Sequence, residues 1–175
     1  MLSIELLDSK KHDSPEERLR QRTTFKCGVD SLDDYIKTRA SQELKKRVST
    51  PYVLTDLPER QVLGYYCLSS YSIASIELDE STAKKLPRYP LLPAILLGRL
   101  AVDSRYQGKG YGGFLLLDAM KRCLELSTQL AAVAMVVEAI GQGAVSFYKD
   151  YGFIEFPDDP MKLYISIVEC EKLGL

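Results

Sequence analysis

The chain has 175 residues, 46% hydrophobic and 27% charged, which suits one globular domain, residues 1–175, with a sizeable core. With 23 Lys and Arg against 24 Asp and Glu the net charge is -1, so no global field draws in nucleic acid and any RNA contact needs a local basic patch. No apolar run approaches the ~18 residues of a membrane span, no signal-like leader opens the chain, and the four cysteines form no Cys-x-x-Cys pair, so a cytoplasmic protein with free thiols, no metal and no membrane contact is expected.

Residues 3–8 alternate Ile4 and Leu6 with polar neighbours, the period of a half-buried strand. Residues 10–26 are polar and irregular, a loop or a short helix. They hold the single histidine, His12, so a Ser-His or Cys-His nucleophile has nothing else to build on. Asp30 can cap a helix with Asp33 and Asp34 in its first turn. Leu32, Tyr35 and Ile36 then share a face, and one helix or a pair runs through Ala40 and Leu44 to Arg47. Pro51 stops it. Strands follow over 52–55 and 61–73, paired antiparallel across hairpin composition at 56–60. Residues 82–86 suit a short helix, and Pro87, Pro90 and Pro93 mark an extended connection.

Residues 96–117 read as strand, glycine-rich turn and helix. Residues 96–102 are an apolar run suited to a strand, Arg105 to Gly110 has the pattern Arg-x-x-Gly-x-Gly, and Phe114, Leu117, Met120 and Leu124 recur at helical spacing. Such a turn is an anion cradle: glycines let the backbone approach a phosphate, and the unpaired amides of the first helical turn point at the same place. Neither a P-loop nor a dinucleotide fingerprint fits, because Gly108-Lys109-Gly110-Tyr111-Gly112 supplies only part of the second. The apolar run 131–138 suits a strand covered on both faces. After Gly141-Gln142-Gly143 a short helix follows, with Ala144, Phe147 and Tyr148 on its inner face, and ends at Tyr151-Gly152. Residues 153–156 and 163–168 read as the last two strands.

This order is that of a mixed α/β (α+β) sheet in layers. The turn resembles the pyrophosphate loop of the GNAT N-acetyltransferases, and Phe147-Tyr148-Lys149-Asp150-Tyr151-Gly152-Phe153 resembles that family's Phe-Tyr-x-x-x-Gly-Phe element. Phe25-x-Cys27-Gly28, Leu32-Asp33-x-Tyr35, Gly64-Tyr65-Tyr66-x-Leu68 and the stretch from Leu97 to Asp103 are similar to the acetyltransferase toxins of bacterial toxin-antitoxin pairs. The resemblance implies the GNAT (acyl-CoA N-acyltransferase) fold, a central sheet of about six or seven strands flanked by helices, and an acetyl-CoA-dependent N-acetyltransferase acting on the α-amine of aminoacyl-tRNA. It adds a cognate antitoxin and a homodimer as partners. Such toxins tend to be basic, and this chain is slightly acidic. An acetyltransferase for a small amine or a protein N-terminus, or a CoA- or antitoxin-binding module without turnover, are the alternatives.

On that resemblance the pyrophosphate sits on the amides of Gln107, Gly108, Lys109, Gly110, Tyr111 and Gly112, with Arg105 and Lys109 as charge partners. Pantetheine runs along Leu100, Ala101 and Val102, and Gln142 joins the cofactor site. Tyr148 becomes the general acid for the departing thiolate, with Phe147 as the packing residue beside it; a core aromatic is the competing reading. No carboxylate occurs in 94–102 to serve as a base, and Glu138 is a weak substitute. That suits an α-amine, whose neutral form near pH 7 costs about 3.5 kcal/mol less than a lysine's. Arg39, Lys45, Lys46, Arg47 and Arg99 are either an RNA-phosphate patch or a solvated helix face, and Glu43 among them keeps both readings open.

Overall fold

A capping box starts the first helix: the Ser14 amide donates to Glu17 Oε2 at 2.7 Å, and the Glu17 amide donates to Ser14 Oγ at 3.1 Å. That settles the loop-or-helix choice, giving α1 over Pro15–Thr23. The computed structural model describes residues 1–8, 14–56 and 60–175. His12 and the hairpin residues 57–59 lie outside them. Seven strands form one sheet in the order β1-β2-β3-β4-β5-β7-β6. Of its ladders β4–β5 is parallel, whereas β1–β2, β2–β3, β5–β7 and β6–β7 are antiparallel. Contacts divide the chain into two compact units, 1–69 with 99–118 and 70–98 with 119–175.

In the first unit, β1 (Leu2–Leu6) pairs with β2 (Thr50–Asp56), and β2 pairs with β3 (Val62–Ala74). Helix α2 (Asp30–Asp34) is not capped by Asp30, which is exposed. Gly28, at φ +97°, turns the chain, and the buried Asp33 carboxylate instead accepts the Cys27 amide at 2.7 Å. A π-helical segment, Tyr35–Arg39, follows and runs into α3 (Ala40–Lys45). This wider turn is invisible to a search for 3.6-residue periodicity. Pro51 does not end the helix. Arg47 does, at φ +58°, while the Val48 amide bonds the Glu43 carbonyl at 2.9 Å; Pro51 sits inside β2 opposite Cys67. The core of the unit gathers Phe25, Tyr35, Ile36, Ala40, Val53, Tyr65, Cys67 and Ala101. Gly64 is needed for room, because a Cβ there would meet Leu115 Cδ1 at 2.8 Å and the Ala101 carbonyl at 2.9 Å.

In the second unit, Asp79 caps α4 (Glu80–Ala83) and also accepts the Tyr164 hydroxyl. Strand β4 (Leu91–Val102), whose residues 99–102 belong to the first unit, begins five residues before the expected start and takes in Pro93. Its ladder with β5 (Ala134–Glu138) runs from Ala94↔Ala134 to Leu97↔Val137. All of Ala134, Met135, Val136 and Val137 are buried, as a two-sided strand requires. Helix α5 (Tyr111–Ser127), whose residues 111–118 belong to the first unit, buries Leu115, Leu116, Ala119, Met120 and Cys123, whereas Phe114 and Leu117 are 49% and 36% exposed. The apolar run 114–117 covers a whole turn, so spacing alone could not choose the inner face. Helix α6 (Gln142–Asp150) likewise buries Val145 and Tyr148, with Ala144 and Phe147 only half-buried, and ends at Gly152 with φ +88°. Strands β6 (Ile154–Phe156) and β7 (Asp159–Ser166) follow. Ser166 then caps an unexpected α7 (Ile167–Lys172), so Val168 is helical.

Candidate active site

The glycine-rich turn is built at the end of β4. Residues 98–102 continue that strand beyond its ladder with β5; Leu100 is half-buried, and Ala101 and Val102 are buried. Asp103 opens a short 3-10 turn, Ser104–Tyr106, and Gln107 leads into Gly108 and Gly110 at φ +74° and +83°. A Cβ placed on either glycine would meet no protein atom within 4 Å. Both glycines therefore serve the backbone's path and the open space before it, not a packing contact. The first helical bond of α5 runs from the Phe114 amide to the Gly110 carbonyl at 3.1 Å, leaving the amides of Tyr111, Gly112 and Gly113 without an intrahelical acceptor. A 17-residue helix stands behind them with its positive end forward.

In the turn, Arg105 Nε and Nη2 donate to the two oxygens of Asp103 at 2.8 and 2.9 Å. Burial pushes the Asp103 carboxyl up, but the Arg105 guanidinium and the Lys26 and Arg105 amides more than reverse this and hold it below the usual range. Gln107 Nε2 donates to the carbonyls of Cys27 and Val102, both at 2.9 Å. Lys109 is exposed, with Nζ 5.1 Å from the centre of the Tyr106 ring.

Gln142 and Tyr148 belong to α6 in the second unit. Gln142 is the exposed first residue of that helix. Tyr148 is 7% exposed and itself packs, with its ring centre 5.2 Å from Phe147 and 5.5 Å from Phe153, so the packing role is not left to Phe147 alone. Its hydroxyl has no hydrogen-bond partner among the described residues. By contrast, those of Tyr65, Tyr66 and Tyr164 bond the Leu32 carbonyl, Asp118 and Asp79. Burial pushes the Tyr148 phenol up to about 12, so it is protonated at neutral pH. Glu138 is exposed at the end of β5.

The basic residues of the first unit divide in two. Arg39, Lys45, Lys46 and Arg47 are exposed along the π-helical segment and the end of α3. Arg99 is half-buried, with its guanidinium 3.7 Å over the Tyr35 ring and Nη1 3.7 Å from Glu43. Sequence reasoning missed Asp103 as a site-building residue. Its only local signal was its place immediately after the apolar strand.

A family model for the acetyltransferase (GNAT) domain matches residues 53–155, which include the turn and α6. The chain belongs to the GNAT acetyltransferases. It is an N-acetyltransferase of toxin-like type. A tRNA-acetylating toxin of Mycobacterium tuberculosis is 34% identical over 86% of this chain and 89% of its own, and the probable toxin TacT of Sinorhizobium fredii is 29% identical over 97% and 93%. Among solved structures, AtaT complexed with acetyl-methionyl-tRNAfMet superposes with a TM-score of 0.87 at 31% identity, covering 100% of both chains. A tyrosine-to-phenylalanine mutant of AtaT, bound to acetyl-CoA and the C-terminus of the antitoxin AtaR, gives 0.79 at 27% identity, covering 99% of this chain and 98% of that one. Among the described residues no helix is long and apolar enough to cross a membrane, and no group of three His, Cys, Asp or Glu could hold a metal ion.

Proposed function

We propose that residues 1–175 act as one GNAT domain that transfers acetyl from acetyl-CoA to the α-amine of an aminoacyl-tRNA. The observation that carries this is the donor turn, with two left-handed glycines facing open space at the start of a long helix. The residues fit the donor. The amides of Gln107 to Gly112 and the Lys109 ammonium would take its pyrophosphate, and the main chain of Leu100, Ala101 and Val102, beyond the β4–β5 ladder, would pair along its pantetheine; Gln142 is proposed as a further contact on the family resemblance. When bound, acetyl-CoA supplies an activated thioester. The Val102 amide would be available to the thioester carbonyl oxygen, where negative charge would develop. Tyr148 keeps its proton at neutral pH and would donate it to the departing sulfur.

The acceptor assignment rests on the relatives and on chemistry. One relative is named a tRNA-acetylating toxin, and AtaT was solved with an acetylated methionyl-tRNA. No carboxylate lies in 94–102, and an α-amine can reach its neutral form without a strong base. An antitoxin partner is proposed because AtaT was solved bound to the C-terminus of the antitoxin AtaR. The test is acetylation of charged tRNA by the purified protein and its Tyr148→Phe variant. The wild type should label the aminoacyl group. The variant should bind acetyl-CoA unchanged and lose about 10² to 10⁴ in kcat, the range of a missing general acid. Full activity in the variant would remove Tyr148 from the proton transfer, and labelling only of free amines or peptides would replace the acceptor.

A further inference from the structure

The carboxylate at the end of β4 takes no part in the transfer chemistry, yet it organises the donor turn. Asp103 is fully buried. It accepts the amides of Lys26 and Arg105, both at 3.0 Å, together with Arg105 Nε and Nη2. Its own amide donates to the Leu63 carbonyl at 2.9 Å, and the Ser104 amide donates to the Lys26 carbonyl at 2.8 Å. Gln107 closes the other side by bonding the Cys27 and Val102 carbonyls. Residues 26 and 27 are thus joined to the turn both before and after its 3-10 segment.

We propose that Asp103 is a positioning residue for acetyl-CoA binding, with Arg105 as its fixed counterion and not a phosphate ligand. The proposal rests on the reading that this turn holds acetyl-CoA. A fully buried carboxylate cannot lose its counterion cheaply, whereas a phosphate in front of the turn stays partly hydrated, so Arg105 remains on Asp103 when the donor binds. The pair is neutral as a unit and adds little field at the turn. The attraction for pyrophosphate comes from Lys109 and from amides whose directions the Asp103 bonds fix.

The experiment is calorimetric titration of acetyl-CoA against Asp103→Asn, Arg105→Gln, their double variant and Lys109→Gln, at several salt concentrations. Asp103→Asn places amide protons where donors already point, and should raise Kd about tenfold or more. Arg105→Gln should raise Kd similarly while keeping the wild-type salt dependence. The double variant should be no worse than the weaker single one. Lys109→Gln should flatten the salt dependence, because it removes a charge that faces phosphate. KM for the acceptor should stay at the wild-type value in every variant, which a general loss of structure would not allow. Salt dependence in Arg105→Gln as flat as in Lys109→Gln overturns the proposal and makes Arg105 a phosphate ligand. If Asp103→Asn does not fold, that slope decides alone. Gly108→Glu in the same series separates the two levels, because wild-type affinity in that folded variant removes the donor site itself and not merely the role of Asp103.

Discussion

Between Asp103 and Gly113 the chain is fixed by hydrogen bonds that start from a buried carboxylate, and its glycines 108 and 110 leave backbone facing open space before the helix. From Arg39 to Arg47 the same unit presents the opposite arrangement: exposed side-chain charges on a short helical stretch. A site made of backbone depends on a few φ angles and fails all at once when one is blocked. A site made of long side chains depends on summed charge and fails in proportion. The nearby Arg99 shows where the two meet, since its charge is engaged by Glu43 and the Tyr35 ring and does not join the exposed group.

The largest effect expected from this difference is at Gly108. Its φ of +74° disfavours any side chain, and a Cβ there points into open space where the donor would lie. Gly108→Glu adds strain, bulk and negative charge at one point, and acetyl-CoA binding should fall below detection in calorimetry while the protein stays folded by circular dichroism. Unchanged affinity would move the donor site elsewhere and leave the comparison with only one functional region.

The contrast also explains how much could be read in advance. Gly108, Gly110 and the helix after them were legible because backbone conformation is encoded locally, in residues a few positions apart. Strand β5 and the hairpin strands β2 and β3 were legible for the same reason. The role of Asp103 was not, because the Lys26 amide that completes its cage lies 77 residues away in sequence. The buried positions of α5 and α6 were only partly legible where apolar residues occupy adjacent positions, since burial there is decided by what packs on the helix. Gly64 belongs with these cases: the chemistry of a glycine inside a strand is visible, but its reason is Leu115 and Ala101 in distant parts of the chain.

A smaller effect, on stability, sharpens the same point. Gly64→Ala would set a Cβ against a movable Leu115 methyl but also against the Ala101 carbonyl, which belongs to β4 and cannot move without shifting the strand that leads into the turn. The expected cost is about 1–3 kcal/mol in thermal or urea unfolding, typical of overpacking. Because Ala101 borders the donor turn, affinity for acetyl-CoA should fall as well. A variant as stable and as tight-binding as the wild type would show that this close approach does not set the turn.

The smallest effect is expected from the exposed charges, and it decides whether they form a site at all. Lys45 and Arg47 are exposed at the end of α3, and Arg47 is held at φ +58° by the helix stop, so reversing both charges leaves the core untouched. If they meet the phosphates of a tRNA acceptor stem, Lys45→Glu with Arg47→Glu should raise KM for aminoacyl-tRNA about tenfold. It should also lower the slope of log activity against log salt by about one to two, near one per lost contact. kcat and acetyl-CoA affinity should stay put, since the donor turn is fixed by its own hydrogen bonds. Glu43, facing Arg99 at 3.7 Å, supplies the control: its charge is already engaged within the unit, so Glu43→Gln should change KM for RNA far less than the double reversal. Equal KM and equal salt slope in the reversed variant would reduce the basic group to a solvated helix end and leave tRNA recognition to other surfaces.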